Sequence, residues 1–170
     1  FSTLINLTNL VISNNFLTSL PEDFGNLTNL GYLDLGYNQI SSIPESISDL
    51  QNIMYFWIFY NQLSQLPESI CNLPLIWDGL DFGNYPYFAS GGNQLCDSAL
   101  IPDCVENSSN FEISLDQYYY SFIMDAPQDC PDDALLGDLN DDGILNVLDI
   151  VLMVNMVLDE GYDGVADMNG

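Results

Sequence analysis

The sequence predicts a solenoid of stacked, strand-bearing coils, followed by a small loop-and-helix segment that depends on a cation. Three observations predict it. Asn15, Asn38 and Asn61 recur every 23 residues, and Pro21, Pro44 and Pro67 recur at the same spacing; a fixed period in the twenties marks one structural unit repeated along an axis. Hydrophobic residues make up 48% of the chain, which supports a continuous core rather than disorder. Near the C-terminus, GDLNDDGILNVLD gathers acidic and amide side chains around a single Gly143, although the chain contains no lysine, arginine or histidine.

The coils come first. LTNLVISNNFLTSLPEDFGN, LGYLDLGYNQISSIPESISD and IMYFWIFYNQLSQLPESICN share the pattern L-x-x-L-x-L-x-x-N-x-L-x-x-L-P-x-x-I. Leu7, Leu10, Ile12, Leu17 and Leu20 point inward in the first copy, as do their counterparts later. One coil cannot cover this apolar set, so stacking must. The asparagine column is expected to bond to the backbone of each turn. With these three copies on view, residues 1–105 resemble the leucine-rich repeat family. The resemblance implies an α/β fold with parallel strands lining a concave face.

The fourth coil is irregular. Trp77, Leu80 and Phe82 fit the strand pattern after one inserted residue, and GNYPYFASG is read as a loop intruding before Asn93. GGNQLCDSALIPDCV then resumes the repeat as a cap. Four cysteines, Cys71, Cys96, Cys104 and Cys130, point to two disulfides and an oxidising, extracellular setting. Three connectivities are possible, and the short separation of Cys96 and Cys104 makes that pair geometrically easy. A zinc site is disfavoured by the lack of a CxxC pair and of histidine. Phe1 aligns with Phe24 and Ile47, so the chain opens in mid-repeat; coils upstream or a partner at that edge are expected.

Residues 106–136 form a linker or strap. FEISL alternates as a strand does, with Phe111, Ile113 and Leu115 on one side. An aromatic run, DQYYYSFIMDAPQDCP, follows, and is expected to lie as an ordered strap or to donate a strand to a neighbour.

The acidic loop belongs to residues 137–170. Asp138, Asn140, Asp142, Gly143, Asn146 and Asp149 occupy positions 1, 3, 5, 6, 9 and 12 of a calcium loop, with Ile144 offering its backbone carbonyl at position 7. Hard oxygen ligands suit Ca²⁺, and Gly143 permits the sharp turn. A helix from Val147 to Leu158 should follow. The block resembles a type I dockerin repeat, and Asp167 and Asn169 resemble the start of a second one. Dockerins hold a cohesin through loop positions 10 and 11; here these are the apolar Val147 and Leu148, so calcium binding carries over and cohesin binding does not.

The net charge of -25 excludes nucleic acid and anionic membrane surfaces as partners, because no side chain can neutralise phosphate. No apolar run reaches membrane-spanning length, and FSTLINLTNL lacks the basic start of a secretory signal. Lacking a histidine base and any cationic oxyanion partner, the chain is expected not to be an enzyme. Glu22, Glu45 and Glu68 form a solvated column rather than a hydrolytic pair.

By the family's geometry, Asn9, Val11 and Ser13, then Tyr32, Asp34 and Gly36, then Tyr55, Trp57 and Phe59 face the concave side. Tyr32, Asp34, Tyr37, Tyr55, Trp57, Phe59 and Tyr60 form the expected contact surface, suited to a protein partner or a second copy of the chain. Sugar rings stacked on the aromatics, with Asp34 and Asp81 as acceptors, are an alternative, and cover by the linker a further one. Asn6, Asn26 and Asn107 head N-glycosylation sequons, and Ser98 lies in a bacterial O-glycosylation-like DSA motif. The expectation is a secreted bacterial adhesion or assembly module with a Ca²⁺-stabilised tail, including a head-to-tail polymer as one form.

Overall fold

The computed structural model describes residues 3–130, Leu139 and 147–158. Four short parallel strands stack in chain order: β1 (Asn9–Val11), β2 (Tyr32–Asp34), β3 (Tyr55–Trp57) and β4 (Phe88–Ala89). The register follows the period, with Asn9 opposite Tyr32 and Tyr32 opposite Tyr55. Strands this short cannot hold themselves together. Beneath the sheet, Leu33, Leu35, Ile40, Phe56, Ile58 and Leu63 are completely buried, with Phe24, Ile47 and Ile70 arriving from the opposite side of each coil. Each such side chain contributes about 1.5–3 kcal/mol by leaving water. On that opposite side the turns are 3₁₀, at Phe24–Asn26, Glu45–Asp49 and Glu68–Asn72. The first coil, as read, is inward-facing but less enclosed: Leu20 is buried, whereas Leu7, Leu10, Ile12 and Leu17 pack against the core only in part.

The asparagine column does what its spacing predicts. Asn61 Nδ2 donates to the carbonyls of Leu35, Ile58 and Phe59, while its Oδ1 accepts from Ile40 N at 3.0 Å. Asn38 and Asn93 repeat the arrangement, accepting from Leu17 N and Leu63 N respectively. Buried main-chain groups with no strand partner are thereby satisfied. The residue before each ladder asparagine is left-handed: Asn14 at φ 55°, Tyr37 at 53°, Tyr60 at 48° and Gly92 at 67°. For tyrosine this conformation costs about 1–3 kcal/mol. The Tyr37 and Tyr60 rings stack at 4.8 Å, which offsets about 0.5–1.5 kcal/mol of it.

The fourth strand lies elsewhere than the sequence reading placed it. Trp77, Leu80 and Phe82 do not form it; β4 pairs Phe88 with Phe56 and Ala89 with Trp57. The inserted loop therefore precedes the strand. Leu80 and Phe82 are exposed, and Trp77 packs edge-on against Phe88 at 4.9 Å.

A short helix, α1 (Asp103–Glu106), closes the solenoid with Val105, Ile101 and Leu95 buried. Cys104 on α1 bonds to Cys71 on the Glu68–Asn72 3₁₀ turn, with Cα atoms 5.7 Å apart across 33 residues. This corrects the geometrically easy Cys96–Cys104 pairing: stacking sets α1 against the turn of the coil before it, so the partner comes from one coil back. Cys96 and Cys130 are also disulfide-bonded, and no cysteine is free.

Beyond the cap, β5 (Ile113–Leu115) and β6 (Ile123–Asp125) form an antiparallel hairpin. It is anchored to the fourth coil by Gly91 N to Ile113 O at 3.0 Å and Gly92 N to Ala126 O at 2.9 Å. A Cβ on Gly91 would lie 2.5 Å from Ala126 O, so this close approach requires glycine. At the far end, Gln117 Nε2 donates to Asn14 Oδ1 in the first coil, 103 residues away. The hairpin thus straps the concave face from last coil to first.

Contacts divide the chain into two units, Phe1–Asp129 and Cys130–Gly170. Within the second, α2 (Val147–Leu158) has the bounds the sequence predicted. The expected calcium ligands Asp138, Asn140, Asp142, Ile144, Asn146, Asp167 and Asn169 lie outside the described residues, and Asp149 is described only as part of α2. Among the described residues no helix is long and apolar enough to cross a membrane.

Candidate functional site: a walled aromatic pocket

The strap divides the expected aromatic surface in two. Trp57 and Phe59 are only 3% and 0% exposed, packed with Leu115, Ile113, Ile123 and Tyr120 of the strap. Tyr37 sits under the same cover and donates its hydroxyl to Leu115 O at 2.8 Å. Of the alternatives the sequence left open, cover by the linker therefore holds for Trp57, Phe59 and Tyr37, with Tyr60 half-buried beside them. Their apolar area is buried against the strap, in keeping with the tendency of parallel sheets to have both faces covered.

The other half stays open as a pocket of about 330 Å³. Its floor is the sheet: Val11 and Ser13 from the first coil, Tyr32 and Asp34 from the second, Tyr55 and Trp57 from the third. Alternation along each strand sends these side chains to the same face. Tyr32 contacts both neighbours, its ring centroid 5.6 Å from Tyr55 and 5.1 Å from Trp57. The inserted loop contributes Asp81 and Tyr85, and the strap contributes Tyr119 and Tyr120.

Hydrogen bonds fix each wall. Asp81 Oδ1 accepts from Gly83 N at 2.7 Å and Tyr85 N at 2.9 Å, closing the insertion on itself. Its Oδ2 accepts from the Tyr55 hydroxyl. The indole N–H of Trp57 donates to Pro86 O at 2.8 Å, clamping the other end of the insertion. In the strap, Asp116 accepts from the backbone of Tyr119, Ser121 and Phe122, shaping the turn that presents Tyr119 and Tyr120. Tyr120 then lies near-parallel to Trp57 at 6.2 Å.

The electrostatics follow from this geometry. Asp34 is 2% exposed and accepts from Ser13 Oγ at 2.8 Å and Gly36 N at 2.9 Å. Burial pushes its carboxyl above the usual range, against the pull of those two donors. Burial, then the charge of Asp34, raises the Tyr32 phenol. Burial likewise pushes Tyr120 up to about 12, opposed by the Ser13 hydroxyl. Asp81 differs: the Tyr85 N–H and the Tyr55 hydroxyl hold it below the ordinary carboxylate range, and that bond pushes Tyr55 up to about 12.

Repeats, ladder and pocket floor lie largely in one segment. Residues 5–63 match the family model for leucine rich repeat. No curated protein matches the chain. Among solved structures, an LRR protein of Leptospira interrogans is similar at 25% identity with a TM-score of 0.48, over 65% of this chain and 24% of that one. The chain thus spans about a quarter of that protein's length.

The segment matched by that family model holds every floor residue of the pocket, and its concave face was the part legible beforehand. Tyr85, Tyr119 and Tyr120 were missed, and they lie outside the matched segment. One signal was available for the insertion. The strand centre precedes the ladder asparagine by five residues in the first three coils, and counting back from Asn93 reaches Phe88. No comparable signal exists for the strap, whose contacts are wholly non-local. Glu22, Glu45 and Glu68 are exposed, as are Asn6, Asn26, Ser98 and Asn107, so the glycan acceptor positions are open to solvent.

Proposed function

We propose that the chain is a non-enzymatic binding module that engages a protein partner through the walled pocket on its concave face. One observation carries this reading: two segments that break the repeat, the insertion and the strap, converge on the same patch of sheet and enclose it. Tyrosine and tryptophan rings with polar tips are the side chains that anchor protein interfaces. Beside the pocket, Tyr118, Tyr119 and Phe122 are 85%, 80% and 68% exposed, extending the aromatic surface onto the strap tip. Paired disulfides suit an extracellular setting, and adhesion or assembly, including self-association, is the role we assign.

Peptide phage display on the immobilised protein tests it, with counter-selection on Tyr55→Ala. Enriched peptides whose binding is lost in that variant are expected. Failure to enrich, or enrichment indifferent to Tyr55, overturns the proposal. A carbohydrate ligand is the second reading, favoured by the same rings beside the Asp81 carboxylate. Glycan-array binding by the wild type that Tyr55→Ala abolishes would establish it.

The Ca²⁺-stabilised tail belongs to the same proposal and is supported by the spacing of Asp138, Asn140, Asp142, Gly143, Asn146 and Asp149. Calcium is expected to raise the thermal midpoint of the tail, increasingly with the logarithm of its free concentration, and Asp142→Asn should remove most of the rise.

A further inference from the structure

Asp34 presents an electrostatic imbalance. It is buried in the floor of the pocket, and the sequence contains no lysine, arginine or histidine to stand opposite it. Ser13 and Gly36 take up one lone pair on each oxygen and leave the charge itself unmatched. Around it stand the rings of Tyr32, Tyr55, Trp57, Tyr85 and Tyr120, whose faces carry partial negative charge. Asp81 adds a second carboxylate at the rim. The Tyr120 hydroxyl is shut off from solvent, with the Ser13 hydroxyl beside it. An aromatic box containing two carboxylates and no cation is complementary to a cation brought from outside.

We infer that the pocket receives the ammonium or guanidinium end of a lysine or arginine side chain from a protein partner, seated among the rings with its charge toward Asp34 and Asp81. The proposal rests on the binding-module reading and names the chemistry that the module selects. A volume of about 330 Å³ accommodates a side chain and not a folded element. The long-range field agrees: with net charge -25, the surface steers basic partners inward and repels acidic ones. A neutral sugar would use the rings but leave the buried carboxylate uncompensated.

The test follows the two indole N–H signals of the protein by ¹H–¹⁵N NMR. Trp57 lines the pocket, and Trp77 packs against Phe88 in the core as an internal control. The probes are acetyl-lysine methylamide and acetyl-arginine methylamide, each against its neutral counterpart, acetyl-norleucine and acetyl-citrulline methylamide. The Trp57 signal is expected to move and saturate with the cationic probes, with affinity about 2- to 30-fold higher than for the neutral ones. Asp34→Asn, which keeps an oxygen for Gly36 N, should erase most of that preference. Tyr55→Leu, which removes one ring of the floor, should do so in part. Equal binding of charged and neutral probes, no movement of Trp57, or an unaltered preference in Asp34→Asn would overturn the inference. Choline binding more tightly than either side-chain probe would overturn the assignment to a protein side chain. Peptides selected through Tyr55 but lacking basic residues would refute the cation and leave the binding module standing.

Discussion

The Tyr55 hydroxyl donates to Asp81 Oδ2 at 2.7 Å, tying the third coil of the repeat to the loop that interrupts the fourth. This bond joins the regular part of the molecule to an irregular one at the mouth of the pocket. It also links two titrations, holding Asp81 ionised and Tyr55 neutral. Tyr55→Phe is therefore expected to let the Asp81 carboxyl rise toward the ordinary aspartate value, since the backbone N–H bonds remain but the hydroxyl is lost. Carboxyl ¹³C shifts followed against pH measure this directly. An unchanged Asp81 titration would show that the hydroxyl contributes nothing there.

Asn61 supplies a second prediction. Its amide satisfies three carbonyls and one N–H, all buried. Asn61→Ala leaves those groups without water or partner, and each buried orphan costs about 1–3 kcal/mol. A loss of about 2–5 kcal/mol in urea unfolding is expected. Asn15, in the exposed first coil, bonds only the carbonyls of Ile12 and Ser13. Asn15→Ala should lose well under half as much, because water can reach the vacated groups.

The contrast also shows what the sequence disclosed. The ladder was legible because one chemical requirement, pairing the main chain of a turn, recurs at fixed spacing in every coil. Strands β1 to β3 followed from the same register. The fourth strand was misplaced because Trp77, Leu80 and Phe82 alternate as a strand does, and local alternation cannot tell a strand from a loop that imitates one. Burial of Trp57 and Phe59 was one of several open alternatives. It was decided by contacts between residues such as Tyr37 and Leu115, far apart in the chain, where no periodicity operates.

The Cys71–Cys104 bridge closes a 33-residue span between the third coil and the cap. By loop entropy such a bridge stabilises by about 4 kcal/mol. Replacing both cysteines with alanine should lower stability by an amount of that order. Proteolysis should then begin at the cap around α1 rather than among the first three coils, because only the cap loses its tether. Mass spectrometry of limited digests would locate the first cut.

Alkaline titration gives a fourth prediction. Tyr37, Tyr55 and Tyr120 are pushed up to about 12, and Tyr32 higher still, against about 10 in an unfolded chain. The folded protein therefore holds these phenolic protons more tightly than the unfolded one. The resulting stability is fully present below about pH 10 and is lost as pH rises toward 12. Absorbance at 295 nm should show a late phase that coincides with loss of tertiary circular dichroism. Complete ionisation at pH 10 with the fold retained would contradict the burial of this cluster.

Asp34 yields the fifth, and its sign separates stability from function. Burial raises its carboxyl above the unfolded value, so the folded state favours the protonated form. This group's contribution to stability is therefore most favourable below the unfolded value, near pH 4. It declines as pH rises through the folded value, above which the ionised group opposes folding. Asn can still accept from Gly36 N and donate to Ser13 Oγ without carrying charge. Asp34→Asn should accordingly keep or raise the thermal midpoint at pH 7, with little gain at pH 4. A variant that is more stable yet prefers basic ligands less would mark Asp34 as kept for binding. A fall in the midpoint at pH 7 would instead mean that the carboxylate itself holds the second coil together.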